Sequence, residues 1–281
     1  MTAIAETLGV ARSNLAVQVK QKSPKCRGCK PRPDTELVTQ IKAIIGTMPT
    51  YGYRRVHAIL KRNGRAEGKS CPNHKRVYRV MKSHNLLLER HATGEARRHD
   101  GIIATEASNM RWCSDGLELT CDNREKVRIA FALDCCDREA LSFVATTSGI
   151  RSVDIQDLMA AAVEHRFGQV NRTPKLIEWL TDNGSCYIAG ETKSFARELG
   201  LEPRTTPVTS PQSNGMAEAF VRTLKRDYAR VTALTDAATV IAALPGWIHH
   251  YNTVHPHRAL GYCSPREFIN SRSTEEAVSG N

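Results

Sequence analysis

The sequence predicts an α/β fold in which a mixed five-stranded sheet with flanking helices follows a small all-α unit. Three observations predict it. Apolar residues recur at helical spacing up to about residue 95 and at strand spacing from Asn109 onward. Three apolar segments separated by short polar turns then form an antiparallel meander. Beyond them helices alternate with short strands, the pattern that adds parallel strands to a sheet.

The elements follow in order. Residues 2–20 read as a short helix, a turn and a second helix start, with Ile4 and Leu8 on one face and Gly9 as the break. The phrase IAETLGVARSNLAVQVK looks like the second half of a helix-turn-helix; an amphipathic hairpin with no DNA role fits the same pattern. Residues 1–34 are therefore a partial helix-turn-helix followed by a basic linker rich in Lys, Arg and Pro. Cys26 and Cys29 form a lone CxxC in that linker. A structural zinc site takes four ligands, and 41 residues separate Cys29 from the next pair, Cys71 and His74, so metal binding stays open.

Residues 35–95 make a small helical DNA-binding domain. Leu37, Ile41, Ile44 and Ile45 stripe its first helix, Val56, Ile59 and Leu60 its second, and Val77, Val80 and Met81 its third. Arg54 and Arg55 open the second helix. Lys75, Arg76, Arg79 and Lys82 line the polar face of the third, which suits a helix entering a major groove; a merely solvated face fits as well. Residues 96–108 read as a tether, residues 109–235 as a catalytic core, and residues 236–281 as a C-terminal helical segment and tail.

Within the core, strands are expected at Arg111–Cys121, Val127–Cys135, Leu141–Thr147, Leu176–Leu180 and Leu201–Thr205, with turns at Asn123–Glu125 and Asp137–Glu139. Helices are expected at Asp154–Phe167, at Thr192–Leu199 with Gly200 as its cap, and at Met216–Ala229 after the loop TPVTSPQSN. Ile241, Leu244, Trp247 and Ile248 continue in helical spacing. Trp112, Trp179 and Trp247 read as packing residues.

Charge is uneven. The chain of 281 residues carries a net charge of +11, but residues 1–100 hold 21 Lys and Arg against 7 Asp and Glu, while the rest is slightly acidic. A basic front half implies a polyanionic partner, most simply nucleic acid. No apolar run approaches the roughly 18 residues of a membrane span. The opening MTAIAETLGV lacks the basic and apolar regions of a secretory signal. Nine scattered cysteines, Cys135 and Cys136 adjacent, read as free thiols in a reducing compartment, and the chain as cytoplasmic and nucleoid-associated.

Three acids carry the chemistry. Asp115 lies in RWCSDG, Asp182 in WLTDNGS and Glu218 in SPQSNGMAEAF, with 66 and 35 residues between them. A sheet of three antiparallel strands and later parallel ones is the RNase H-like layout, and it brings such distant acids together. Asp115 falls on the first strand, Asp182 just past the fourth and Glu218 in the first turn of a helix. Their oxygens suit Mg²⁺, with Mn²⁺ as a substitute, and two ions together serve an in-line displacement at phosphorus. Asn183 and Gly184 permit a tight turn that exposes Asp182. Arg222 and Lys225 share a helix face with Glu218 and suit a phosphate backbone; an ordinary surface Glu–Arg pair is the alternative. Asp134 is the decoy, a companion acid or a partner of Arg138.

These motifs resemble the transposases of bacterial insertion sequences that carry a DDE, retroviral-integrase-like catalytic core. The carriers are PTYGYRRVHAILKRNG, KRVYRVMKSHNLLLER, RWCSDG, FALDCCDREAL, LTDNGS, SPQSNGMAEAFVRTLKRDY and YNTVHPHRALGYCSPREFI, which span nearly the whole chain. The resemblance implies Asp115, Asp182 and Glu218 as catalytic metal ligands and Lys225 at the element's end. It implies a helix-turn-helix domain over 35–95 and a family tail around Tyr251, Asn252, His257, Leu260 and Pro265. Where the family commonly carries Arg before the proline, this chain has His255, to which no role is assigned. It further implies double-stranded DNA at element ends and target, a homo-oligomer on paired ends, a circular intermediate, and a downstream-frame product whose partner is an upstream-frame DNA-binding protein. Two other functions fit the residues: a metal-dependent nuclease that cannot join strands, and a non-catalytic DNA-binding regulator of transposition.

Overall fold

The computed structural model describes residues 2–11, 13, 33–89, 104–205 and 215–279. The CxxC of Cys26 and Cys29, most of the basic linker, the tether over 96–103 and the loop 206–214 lie outside the described residues. The chain divides into two compact units, Met1–Glu36 and Leu37–Asn281. In the first, helix α1 (Thr2–Thr7) ends ahead of Gly9, whose φ of +59° is the left-handed conformation that stops a helix.

In the second unit three helices come first, α2 (Thr35–Thr47), α3 (Tyr53–Ala66) and α4 (His74–Ser83). Each buries the stripe its periodicity marks: Leu37 and Ile41, Val56 and Leu60, Val77, Val80 and Met81. Asn73 caps α4 by accepting from the Lys75 amide, which satisfies a donor that the helix leaves unpaired.

The sheet holds β1 (Arg111–Thr120), β2 (Lys126–Asp134), β3 (Ala140–Thr146), β4 (Ile177–Thr181) and β5 (Leu201–Thr205) in the order β3-β2-β1-β4-β5. The first three strands are antiparallel, and β4 and β5 add in parallel. The turns fall where the polar triplets mark them. Their left-handed residues are Arg124 and Arg138, at φ of +69° and +63°, rather than the Asn or Asp that favour that conformation.

Both faces of the sheet are covered, so β2 is buried along nearly its whole length and reads as a continuous apolar run. On one face α5 (Ser152–Phe167) packs Ile155, Leu158, Met159, Ala162 and Val163 on Trp112, Ala130, Trp179 and Leu201. On the other, Cys113, Leu117, Ile129 and Phe131 meet Phe220 and Leu224 of α8 (Gly215–Asp227) and Val240 and Leu244 of α9 (Ala237–Thr253). Short helices α6 (Ser185–Ile188) and α7 (Gly190–Glu198) join β4 to β5, and α10 (Pro265–Ser279) closes the chain. The α6 turn is absent from the sequence expectation, because four residues are too few to show a period.

The core beneath α8 and α9 is continuous with that of α2–α4. Phe131 and Phe220 stand with ring centroids 4.5 Å apart, and Phe220 meets Tyr251 edge-on at 4.8 Å. Burial of each such ring contributes about 1.5–3 kcal/mol, so this stack sets the position of α8 over β1 and β2. Among the described residues no helix is long and apolar enough to cross a membrane.

Candidate active site

The parallel ladder of β1 and β4 decides where two of the acids stand. Arg111 pairs with Glu178, Trp112 with Trp179 and Cys113 with Leu180. Carried two residues further, the same register sets Asp115 level with Asp182, beyond the last paired residues. The 66 intervening residues include β2, β3 and α5, after which the chain returns beside β1 as β4; neighbouring strands lie roughly 5 Å apart. Strand alternation sets the face. Cys113 and Leu117 point into the core under α8, so Asp115 between them in phase points that way too. Leu180 packs on the same core, which puts Asp182 on the same side.

The third acid comes from α8 itself. Met216, Ala217, Phe220 and Leu224 are its buried stripe, and Glu218 sits beside that stripe, exposed, in the first turn. A negative charge there is favoured by the helix dipole. Asp115 is half-buried, Asp182 exposed. Burial pushes the Asp115 carboxyl up to about 6; the Gly116 amide donating to it at 2.7 Å opposes this, and the charges of Asp182 and Glu218 add to the rise. The three acids thus share one electrostatic neighbourhood.

Asp182 is held by a tight turn in which the Gly184 amide donates to Oδ1 at 3.0 Å. Gly184 has an ordinary φ of −58°, so its conformation does not require glycine. Its lack of a side chain does the work: a Cβ there would stand 3.0 Å from Asp182 Oδ1 and 3.3 Å from the Tyr187 ring. Beneath the acids the Ser114 and Tyr187 hydroxyls share a buried hydrogen bond of 2.9 Å. Burial holds the Tyr187 phenol far above its usual range, so it stays a neutral O–H.

The donor chemistry fits a hard divalent cation, because all three groups offer carboxylate oxygens. The negative charges that add to the rise of the Asp115 pKa are also what a cation relieves. Among the described residues no three His, Cys, Asp or Glu side chains are drawn close enough to enclose a metal ion. The acids are neighbours rather than a closed cage.

The basic residues divide into two groups. Arg222 is exposed and Lys225 half-buried on α8, and among the described residues no ion pair joins Arg222 to Glu218. Lys75, Arg79 and Lys82 are exposed on α4, with Arg76 half-buried beside them. Arg54 is exposed and lies over the Tyr53 ring at 5.5 Å. Arg55 turns inward: it pairs with the fully buried Asp227 at 3.0 Å and covers the Tyr51 ring at 5.4 Å.

Two buried polar clusters escape sequence reasoning. At the end of α8, Asp227 takes Arg55 and Arg226, with His255 3.7 Å away, and Tyr51 Oη bonds His255 Nδ1 at 3.0 Å. Burial holds the His255 imidazole neutral, far below its usual pKa. After β2, Asp134 accepts from the Asn109, Cys136 and Asp137 amides and from Trp112 Nε1. Its cationic neighbour is Arg166 at 3.5 Å, not Arg138, because α5 places Arg166 among Asp134, Asp137 and Glu139. Asp134 is therefore a buried acceptor that ties the β2–β3 turn to β1 and α5. No signal in the sequence separates such a residue from a ligand; only its partners do.

Residues 105–211 and 199–265 match two models of the integrase core domain, and residues 32–92 match an HTH-like domain. The chain is 49% identical over 275 residues to transposase InsD for insertion element IS2A/D/F/H/I/K of Escherichia coli, covering 96% of this chain and 91% of that one. It is equally identical to transposase InsD for insertion element IS2-9 of Escherichia coli strain K12, over 96% and 89% of the two chains. Among solved structures it overlaps a chain of the simian T-cell lymphotropic virus intasome in complex with PP2A regulatory subunit B56 gamma, at 16% identity and a TM-score of 0.48, over 82% of this chain and 73% of that one.

Proposed function

The chain belongs to the insertion-sequence transposases with an integrase core domain, and within that activity we propose that Asp115, Asp182 and Glu218 are the catalytic carboxylates. What supports this is the β1–β4 register, whose last pair, Cys113 with Leu180, stands two residues before each of Asp115 and Asp182, together with the rise of the Asp115 pKa caused in part by both other acids. The enzyme is a DNA transposase with a metal-dependent mechanism. We take the ions to be two Mg²⁺, replaceable by Mn²⁺, held by these three side chains. Held there, the ions would supply Lewis-acid chemistry to the attacking and leaving oxygens.

The protein's own groups do the rest. Asp115 sits on a rigid strand, and its backbone neighbour Gly116 fixes its carboxylate. The Gly184 amide holds Oδ1 of Asp182, whose side chain is exposed. Arg222 and Lys225 follow Glu218 on α8 and offer cations to the phosphates that flank the scissile bond. In the first reaction water attacks phosphorus at the element's end and the 3′ oxygen leaves as a hydroxyl. In the second that hydroxyl attacks a target phosphodiester and displaces another 3′ oxygen. One phosphodiester is broken as one is formed, so no nucleotide cofactor is consumed. We also read residues 109–235 as the catalytic core, 35–95 as the accessory helical domain and 236–281 as a tail that packs on both. A homo-oligomer on paired element ends, an upstream-frame DNA-binding partner and a place at the cytoplasmic nucleoid belong to the same proposal.

The test is strand transfer with a pre-cut terminal oligonucleotide and Mg²⁺. Wild type should yield joined product, and Asp182→Asn and Glu218→Gln should yield none while binding DNA normally. Cleavage without joining would make the chain a nuclease. DNA binding with neither reaction, in wild type and variants alike, would make it a regulator.

A further inference from the structure

A second electropositive feature lies away from the acids, where α3 faces the C-terminal segment. Arg54, His57, Lys61 and Arg65 follow one another at helical intervals on the side of α3 opposite Val56 and Leu60. At 1.5 Å per residue this stripe runs for about 16 Å. It forms one wall of a groove of about 510 Å³, to which His74 at the start of α4 also contributes. The opposite wall is Gly261, Tyr262 and Cys263. Gly261 and Tyr262 are successive left-handed residues, at φ of +64° and +69°.

The one acid in the lining is Glu267, and it is already engaged. Arg62 bonds Glu267 and donates to the Val254 carbonyl at 2.8 Å, which staples the C-terminal segment to α3. Among the described residues Lys61 and Arg65 enter no ion pair, and both are exposed. The His57 pKa is lowered by burial and then by the charges of His74 and Lys61, as expected of an imidazole in a positive field.

We propose that this groove, built jointly by α3 and the 257–267 segment, seats the sugar-phosphate backbone of duplex DNA without regard to base sequence. The identification of the polyanion as DNA rests on the transposase reading; the groove itself rests on its lining. A neutral aromatic wall facing a cationic one suits a duplex edge, with sugars against Tyr262 and phosphates against Lys61 and Arg65. The C-terminal segment then becomes half of a DNA seat rather than a packing tail.

The experiment is fluorescence anisotropy of a short labelled duplex of arbitrary sequence with the full chain, in chelator, over a range of salt. Lys61→Gln with Arg65→Gln should weaken binding by on the order of tenfold and flatten the plot of log affinity against log salt by about 2. Tyr262→Ala should weaken binding with the slope unchanged. Lys193→Gln with Arg197→Gln, which removes the same charge from α7, should change little. Equal losses in the two double variants would overturn the groove, as would unaltered affinity in Tyr262→Ala. Circular dichroism confirms that each variant is folded. Because binding is read without metal, failure here leaves the carboxylate assignment untouched, and failed strand transfer in Asp182→Asn controls leaves the groove untouched.

Discussion

Asp115→Asn should make the metal-free protein more stable while abolishing its activity. In the folded chain the Asp115 pKa stands at about 6 against an ordinary value of 3.8. The folded state therefore holds this proton over a window in which the unfolded chain releases it, so stability falls as pH rises from about 4 to about 6 and stays low above. At full value the rise is worth about 3 kcal/mol. The carboxylate is partly open to water, and screening reduces this to about 1–2 kcal/mol. For a unit of this size that is roughly 2–8 °C in Tm. Thermal melts at pH 7.5 in chelator should place the variant above wild type by that amount, and melts near pH 4 should bring the two together. Added Mg²⁺ should stabilise the wild type by about 2.7 kcal/mol at a hundredfold excess over Kd, raising its Tm, and leave the variant nearly unmoved. If the variant melts with wild type at pH 7.5, or if Mg²⁺ stabilises both equally, Asp115 does not share a cation-binding neighbourhood with Asp182 and Glu218.

Other outcomes follow from the same geometry. Asp227→Asn strips the buried Arg55 of its counter-ion and should cost about 3–5 kcal/mol in urea unfolding; since burial is outweighed and the Asp227 pKa ends lowered, wild-type stability from this group should persist above pH 4 and fade below it. Glu218→Gln should lower metal affinity by at least the roughly 10–100-fold lost when groups that merely support a ligand are changed, measured by calorimetric titration with Mn²⁺. Gly200→Ala adds a Cβ 2.3 Å from Thr173 Oγ1 at a φ of +84°, so it should lose more stability in urea unfolding than the roughly 1–2 kcal/mol of the left-handed penalty alone. Gly184→Ala, in contrast, should leave stability within about 1 kcal/mol and slow strand transfer, because the new methyl crowds Asp182 rather than the core.

How much of this was legible in the sequence depends on whether a feature is local or shared. The five strands, α5, α7 and α8 fall within one or two residues of their expected bounds, because each carries its own period and its own turn signal. The places of the three acids in the fold were legible for the same reason: Asp115 lies on a strand, Asp182 just past another and Glu218 in the first turn of a helix, all of which the pattern marks. The inward turn of Arg55 was not. Arg54 and Arg55 are adjacent and chemically identical, and only the helical phase, with Val56 buried beside them, separates one exposed cation from one paired with an acid 172 residues away. Gly184 shows the same limit: its place in a turn was legible, but the reason for glycine is the Asp182 carboxylate rather than a left-handed backbone.

The two ends of α8 explain why a helix can serve a site assembled from such distant parts. Glu218 must face Asp115 and Asp182, and an error of one residue in the helix phase turns a side chain by about 100°. The start of the helix has little to hold it, since Glu218 itself is exposed. Its phase is set further along, by Phe220 between Phe131 and Tyr251 and by Asp227 in the grip of Arg55 and Arg226. Arg55 belongs to α3, and Tyr51 and His255 close the same cluster from the helical region and the C-terminal segment. The accessory helices therefore bear on the position of α8 as well as carrying exposed cations. Through one buried carboxylate they hold the helix that carries Glu218, so if the proposed catalytic role of Glu218 holds, a change at Arg55 should lower strand transfer without any contact to DNA, whereas one at Arg54 should act through DNA binding alone. Measuring both reactions in Arg54→Gln and Arg55→Gln separates the two roles, and identical behaviour of the pair would refute the distinction.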